Sequence, residues 1–327
     1  MTHPRSAFGA SPSRGRTQQT GKAGSAAAAW FRRRLPSGRT LVIATPFVFL
    51  LVFFLLPFLA VLKISFADSR LGIPPYTPLI AMVNDKLTLH ASLTSYLAVL
   101  TDDFYFWSYI NSIRVAFVTT VLCLLIGYPT ALLITKATPS RRAMLMMAVI
   151  LPFWTSYLVR VYAWIGILKD QGLVNDFLLR IGLIDTPIHL MQNSFGLYVG
   201  MVYSYLPYMI LPLYAYLVKM NPSLAEAAGD LGARPWQVFA TITLPMSLPG
   251  IWAGSLLVFI PSVGEYVIPE LLGAPDELMI GRVMWVDFFN NIAWPLAAAA
   301  TCVMVVLLLL PMAWFQRLQD KEAVAAV

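Results

Sequence analysis

Glu265 is the side chain best placed to do chemistry in this 327-residue sequence. It lies in the apolar run 247–273, where a carboxylate costs up to a few kcal/mol unless it faces a cavity or a partner. Counted at about 1.5 Å per helical residue, it stands ~27 Å from Ser247. Arg160 stands ~26 Å from Ala143 in another apolar run, at similar depth. Glu265 therefore reads as half of an ion pair with Arg160, as a group lining a polar path, or as a contact with a neighbouring subunit. Aromatic residues crowd two apolar runs: Trp154, Tyr157, Tyr162, Trp164, Tyr198, Tyr203, Tyr205, Tyr208, Tyr214 and Tyr216. Tyr205, Tyr208 and Tyr216 share a helical face if the helix bends at Pro212; bundle packing and interface anchoring are the plainer reading of these rings. Glu270 and Asp287 read as solvated acids at an outer mouth, raising the local concentration of cations.

Most other chemistry is excluded by what the chain lacks. There is no GxxxxGK[ST] phosphate loop, no HExxH pair and no GxSxG elbow, so nucleotide hydrolysis, zinc proteolysis and serine hydrolysis have no machinery here. The two cysteines, Cys123 and Cys302, sit in apolar runs and read as small buried hydrophobes. His3, His90 and His189 are too scattered for a metal site. Neither a metal nor a cofactor is expected.

Apolar residues make up 58% of the chain and charged residues 12%, against about 45–50% and ~25% in soluble domains. With a mean hydropathy of +0.71, most of the chain belongs in lipid. The net charge of +7 does not signal nucleic acid. Eight basic residues (Arg5, Arg14, Arg16, Lys22, Arg32, Arg33, Arg34 and Arg39) stand before Leu41 with no acid among them, and the remainder is close to neutral. Residues 1–40 read as a disordered basic tail beside a membrane segment.

Six apolar segments follow, at about 41–62, 110–134, 143–168, 196–218, 247–273 and 293–315, within a membrane domain over 41–318. Each reaches the ~20 residues that cross ~30 Å of hydrocarbon as a helix. Their prolines, including Pro57, Pro152, Pro212 and Pro261, predict kinks rather than breaks. Basic residues gather in the tail, the 136–142 turn, the 219–246 loop and the end around Arg317, while most acids lie in the other loops. The positive-inside rule then places both termini in the cytoplasm, with 319–327 as a short tail. Leu93, Tyr96, Leu97 and Leu100 follow the spacing of an amphipathic helix at the outer face, and Leu173, Phe177 and Leu178 suggest a shorter one.

The 219–246 loop is the most informative segment. Ser223 and Glu226 read as a capping box after Pro222. Ala225, Ala227 and Ala228 make a narrow helix face, and Gly232 ends the helix. Trp236 to Leu244 then lead amphipathically back to the membrane at Pro245. A protrusion of this kind suits docking to a soluble partner.

Here the sequence resembles a known family. Glu226-Ala227-Ala228, three residues, Gly232, nine residues, then Ile242-x-Leu244-Pro245 is similar to the EAA loop of bacterial ABC-importer permeases. Pro261-Ser-Val-Gly-Glu-Tyr-Val-Ile-Pro-Glu-Leu-Leu-Gly, Met279-Ile-Gly, and Phe288-Phe-Asn-Asn with Trp294-Pro resemble the first permease subunit of putrescine and spermidine importers. The resemblance covers roughly 41–320. It implies an all-α integral membrane fold of six spans of the type I importer kind, with a cytoplasmic coupling helix. It also implies docking to an ATPase through Glu226, Ala227, Ala228 and Gly232, and no catalysis by this chain. The implied assembly has a sister permease, two copies of a cytoplasmic ATPase and a periplasmic polyamine-binding protein, set in inner-membrane lipid. The implied cargo is a small organic polycation. For such a cargo Glu265, Tyr205, Tyr208, Trp154, Glu270 and Asp287 are the candidate path, since ring faces attract ammonium by ~0.5–2 kcal/mol. Importers of iron, sulfate or opines share the loop and stay open as alternatives. An ion-coupled secondary transporter would leave the loop unexplained, and no internal repeat supports one.

Overall fold

The structure is a computed structural model that describes residues 38–83 and 86–325. The tail expected over 1–40 lies outside the described residues up to position 37. The chain divides at Ala60 and Val61 into two compact units, described separately.

In the first unit, α1 (Gly38–Leu50) runs into a π-helical turn, Leu51–Leu55. Pro57 explains that turn. Its ring supplies no N–H and would press on the carbonyl four residues back, at Phe53; a wider turn relieves both. From Val42 to Ala60 no side chain is buried, which suits apolar residues that face lipid. The helix continues as α2 (Leu56–Ser65), whose last residues belong to the second unit.

The second unit is helical apart from one hairpin, β1 (Ile80–Val83) against β2 (Lys86–Leu89), with Ile80 opposite Leu89. Its centre is three long helices: α4 (Asp103–Lys136), α8 (Ser194–Leu217) and α11 (Leu244–Val263). The α3 helix (Thr94–Thr101) precedes them on the sequence. Asp102 starts α4 by accepting from the Phe104 N–H over 2.9 Å, seven residues before the expected span. Val115, Cys123, Met201, Met209, Leu213 and Val258 fill the space between the three helices. A second core cluster joins Val99 of α3 with Tyr105, Tyr109 and Ala116 of α4, Val263, Ile280, Val283, Ala299 and Ala300. The last helix, α14 (Trp294–Ala325), runs across the expected boundary at 318.

Five helices among the described residues are long and apolar enough to cross a membrane, and a sixth span arises if one bent pair is counted as one. That pair corrects the expectation of a kink. α5 (Pro139–Ile150) passes through a 3-10 turn at Leu151–Trp154 and stops; α6 (Tyr157–Leu168) then starts at 94° to it. Pro152 cannot donate to the helix ladder. Thr155 turns extended (φ −90°, ψ 151°), and its Oγ1 donates to the Pro152 carbonyl at 2.7 Å, closing the broken end. The α7 helix (Leu173–Arg180) completes this pair.

A second break interrupts the expected span 247–273. After α9 (Pro222–Asp230) and a turn, the helix of this span begins early, at α10 (Pro235–Val238), and passes through a π turn at Phe239–Thr243 into α11. Pro245 sits just after this π turn, as Pro57 does after the first. Beyond Val263 the chain leaves helical geometry at Gly264–Tyr266 and re-enters it in α12 (Val267–Leu272). α13 (Ile280–Trp285) follows, before α14.

Candidate functional site

The first break opens on a cavity that the end of α11, just before the second break, also walls. It holds about 400 Å³ and is walled by Phe153 and Tyr157 from either side of the first break, Arg160 of α6, Tyr205 and Tyr208 of α8, and Pro261 of α11. Irregular backbone at membrane depth is tolerated only where it is buried in protein or lines such a cavity.

Glu265 stands in the second break and is 9% exposed. Its Oε1 accepts the N–H groups of Tyr266 and Val267 at 3.1 and 3.0 Å, and its Oε2 accepts the Tyr205 hydroxyl at 2.5 Å. The carboxylate thus satisfies donors freed where α11 ends and α12 begins. The break is held from behind by Gly281. A Cβ there would lie 2.4 Å from the Gly264 carbonyl oxygen and 2.6 Å from that of Glu265, so only glycine lets α13 approach this closely.

Tyr205 and Tyr208 lie together, ring centroids 6.1 Å apart, and Phe153 meets Tyr208 edge-on at 5.1 Å. The structure thus brings Glu265, Tyr205 and Tyr208 into one place. Among the described residues no ion pair joins Glu265 to Arg160, which removes one of the three readings of that acid. The Arg160 guanidinium lies over the rings of Phe153 and Tyr157 instead, at 5.2 and 5.6 Å from their centroids.

The other candidate path residues lie elsewhere. Trp154 is 79% exposed and does not line the cavity. Glu270 pairs with Arg282 at 2.5 Å. Asp287 is not a solvated loop acid: it is 6% exposed, accepts the Tyr105 hydroxyl over 2.5 Å and takes the Asn291 amide at 2.9 Å. The π turn that carries it, Val286–Asn290, rotates its side chain inward toward α4.

The 219–246 loop forms the expected helix, with a different cap. Asn221, not Ser223, is the N-cap: its Oδ1 accepts the Ser223 N–H at 3.1 Å, and Pro222 occupies the first helical position. Proline's fixed φ suits that position, which moves the start one residue earlier than a capping box at Ser223 would. At the other end Gly232 has φ +83°. The Gly232 N–H reaches the Gly229 carbonyl at 2.9 Å and the Ala233 N–H reaches Ala228 at 3.0 Å, the paired bonds of a Schellman end. Glu226 and Ala227 are exposed on this helix and Ala228 is half-buried.

Phe153 and Ser204 line the cavity and carry no signal of function in their own residue types. The break that places Phe153 was foreshadowed by Pro152 followed by Thr155 and Ser156, a weak helical stretch. Among the described residues no group of three or more His, Cys, Asp or Glu side chains is arranged to hold a metal.

Residues 23–324 match the family described as binding-protein-dependent transport system inner membrane component. The chain is 39% identical over 209 residues to the spermidine/putrescine transport system permease protein PotB of Escherichia coli (strain K12), covering 64% of this chain and 76% of that protein. It is 36% identical over 270 residues to the PotB of Haemophilus influenzae, covering 83% and 90%. Its fold resembles a chain from the crystal structure of a bacterial alginate ABC transporter in complex with alginate pentasaccharide-bound periplasmic protein. The TM-score is 0.61 at 17% identity, covering 92% of this chain and 97% of that one.

Proposed function

The chain belongs to the family of binding-protein-dependent transport system inner membrane components, and from that premise we propose that it is a permease subunit of an ATP-driven polyamine importer. It is a multi-pass inner-membrane protein and a transport component, not an enzyme. ATP is hydrolysed on a separate ATPase subunit. The cargo is of the putrescine and spermidine type, in keeping with the PotB relatives.

One observation carries the reading. The broken helix pair, α8 and the end of α11 wall a cavity, and Tyr205 on that wall is hydrogen-bonded to a buried acid, Glu265. An organic polycation crossing a membrane needs a negative charge for its ammonium groups and apolar or aromatic walls for its stem. The cavity and the acid behind its Tyr205 wall supply both. Glu265 offers the charge, already oriented by Tyr205 and two backbone N–H groups, and Tyr208 and Phe153 offer ring faces. Alternating access then consists of opening this cavity to one side of the membrane and the other in turn.

The remaining assembly is what the resemblance of the 219–246 loop to the EAA loop of importer permeases implies. A sister permease completes the pore, two ATPase copies work from the cytoplasm, and a periplasmic polyamine-binding protein delivers cargo. Glu226, Ala227, Ala228 and Gly232 form the surface that meets the ATPase: a short helix closed at both ends by its own caps and presenting small residues. Both termini face the cytoplasm in this reading, which the basic residues near them support.

The test is uptake of labelled putrescine by cells with and without this chain, with unlabelled spermidine as competitor. Deletion abolishes uptake if the chain carries polyamines, and the competition measures how narrow the selection is. Unchanged uptake in cells holding no redundant importer overturns the polyamine cargo.

A further inference from the structure

Arg160 carries a charge that the transport path as described does not use. A cation inside a membrane protein is expensive and is ordinarily paired with an acid or with backbone carbonyls. Here the Nε and Nη1 atoms of Arg160 are buried without a hydrogen-bond partner. The buried acid behind the Tyr205 wall is committed elsewhere: Glu265 Oε1 to two backbone N–H groups and Oε2 to Tyr205. What holds the guanidinium is the pair of ring faces of Phe153 and Tyr157, at 5.2 and 5.6 Å, both inside the ~6 Å reach of a cation–π contact. Those two rings line the same cavity as Tyr205 and Tyr208.

We infer that Arg160 is a built-in competitor of the cargo: its guanidinium occupies the ring faces that an incoming ammonium would use, and it must leave them before the ammonium settles near Glu265. The inference rests on the polycation reading of the cavity. Two cations a few ångströms apart repel strongly in a medium of low dielectric constant, so guanidinium and ammonium exclude each other rather than share the space. Such a competitor keeps the affinity of the membrane cavity low. Cargo is then handed on instead of being trapped, and the binding protein remains the tight site.

The experiment is binding of labelled putrescine to the purified importer, with both permeases and the ATPases present and the binding protein omitted. Arg160→Gln binds about ten-fold more tightly than the wild type, the gain expected when a contact of cation–π strength no longer competes. Arg160→Lys stays within about two-fold of the wild type, because a cation remains. Adding Glu265→Gln to Arg160→Gln removes the gain. Arg160→Met, which keeps the apolar stem, is the second variant and behaves as Arg160→Gln does. Binding of both putrescine and methylammonium that is unchanged or weaker in both neutral variants overturns the inference. So does loss of the sister permease from both, which would make Arg160 an interface group. Methylammonium separates this inference from the cargo reading: if the neutral variants bind it more tightly but leave putrescine unchanged, Arg160 is a competitor of cations and the polyamine cargo is wrong.

Discussion

Tyr205 and Glu265, sixty residues apart, share a hydrogen bond of 2.5 Å that ties the middle of α8 to the break between α11 and α12. The bond runs from a neutral hydroxyl to a buried carboxylate, the stronger class of hydrogen bond. Tyr205→Phe should therefore cost about 1.5–3 kcal/mol, and Glu265→Gln a similar amount. Because both remove the same contact, the double variant should lose clearly less than the sum. Thermal unfolding of the purified complex measures this. Strictly additive losses would mean that the two residues do not act as a unit.

Gly281 makes a sharper test of how the site is positioned. Gly281→Ala forces a methyl group against the carbonyls of Gly264 and Glu265, where a Cβ would sit at 2.4 and 2.6 Å. We expect a loss of about 1–3 kcal/mol together with reduced uptake, since the strain falls on the backbone that aims the carboxylate. Gly229→Ala is the control: a Cβ there meets nothing within 4 Å, and the change should be neutral or slightly stabilising. Equal behaviour of the two variants would show that the close approach at Gly281 does not matter.

The coupling surface predicts a different signature. Glu226 is exposed on α9, so Glu226→Lys should leave insertion and thermal stability intact while uncoupling ATP hydrolysis from uptake. Membrane fractionation and ATP-driven uptake in the same vesicles check both halves. Gly232→Val acts through shape instead, because φ +83° is strained for a β-branched residue. It should unwind the end of α9 and weaken co-purification of the ATPase.

Asp287 should behave as a structural residue. Its carboxylate is spent on Tyr105 and Asn291, so Asp287→Asn should lower stability by about 1–3 kcal/mol without changing the putrescine concentration at half-maximal uptake. A shift in that concentration at unchanged stability would return Asp287 to the cargo path.

The membrane architecture is legible in the sequence because lipid imposes a length and a composition that survive any detail of packing. The coupling helix is legible because proline and glycine punctuate it; only its cap moved, from Ser223 to Asn221, where proline geometry outweighs a capping-box pattern. Glu265, Tyr205 and Tyr208 stand out as an acid and two aromatic residues in apolar runs, and the structure gathers them. The breaks are poorly legible: Thr155 and Ser156 after Pro152 are a weak signal of the first, and spacing does not mark the second. Pro152, Pro207, Pro212 and Pro261 look alike on the page, yet the chain leaves helical geometry within three residues of Pro152 and of Pro261, while α8 runs through Pro207 and Pro212. What decides is whether neighbouring groups satisfy the freed donors, as Glu265 does for Tyr266 and Val267. Asp287 was misplaced for a related reason: a π turn redirects its side chain, and spacing alone does not reveal a π turn.

The most direct measurement is uptake of labelled putrescine by the reconstituted importer, comparing wild type with Glu265→Gln. The substitution keeps an oxygen to accept from the broken backbone and removes the charge. If Glu265 carries the ammonium through the membrane, uptake falls at least ten-fold while assembly and cargo-free ATP hydrolysis persist, a loss of about 1.4 kcal/mol or more. Uptake equal to wild type, with the complex intact, would leave Glu265 as a cap for α12 and move the path of the cargo elsewhere.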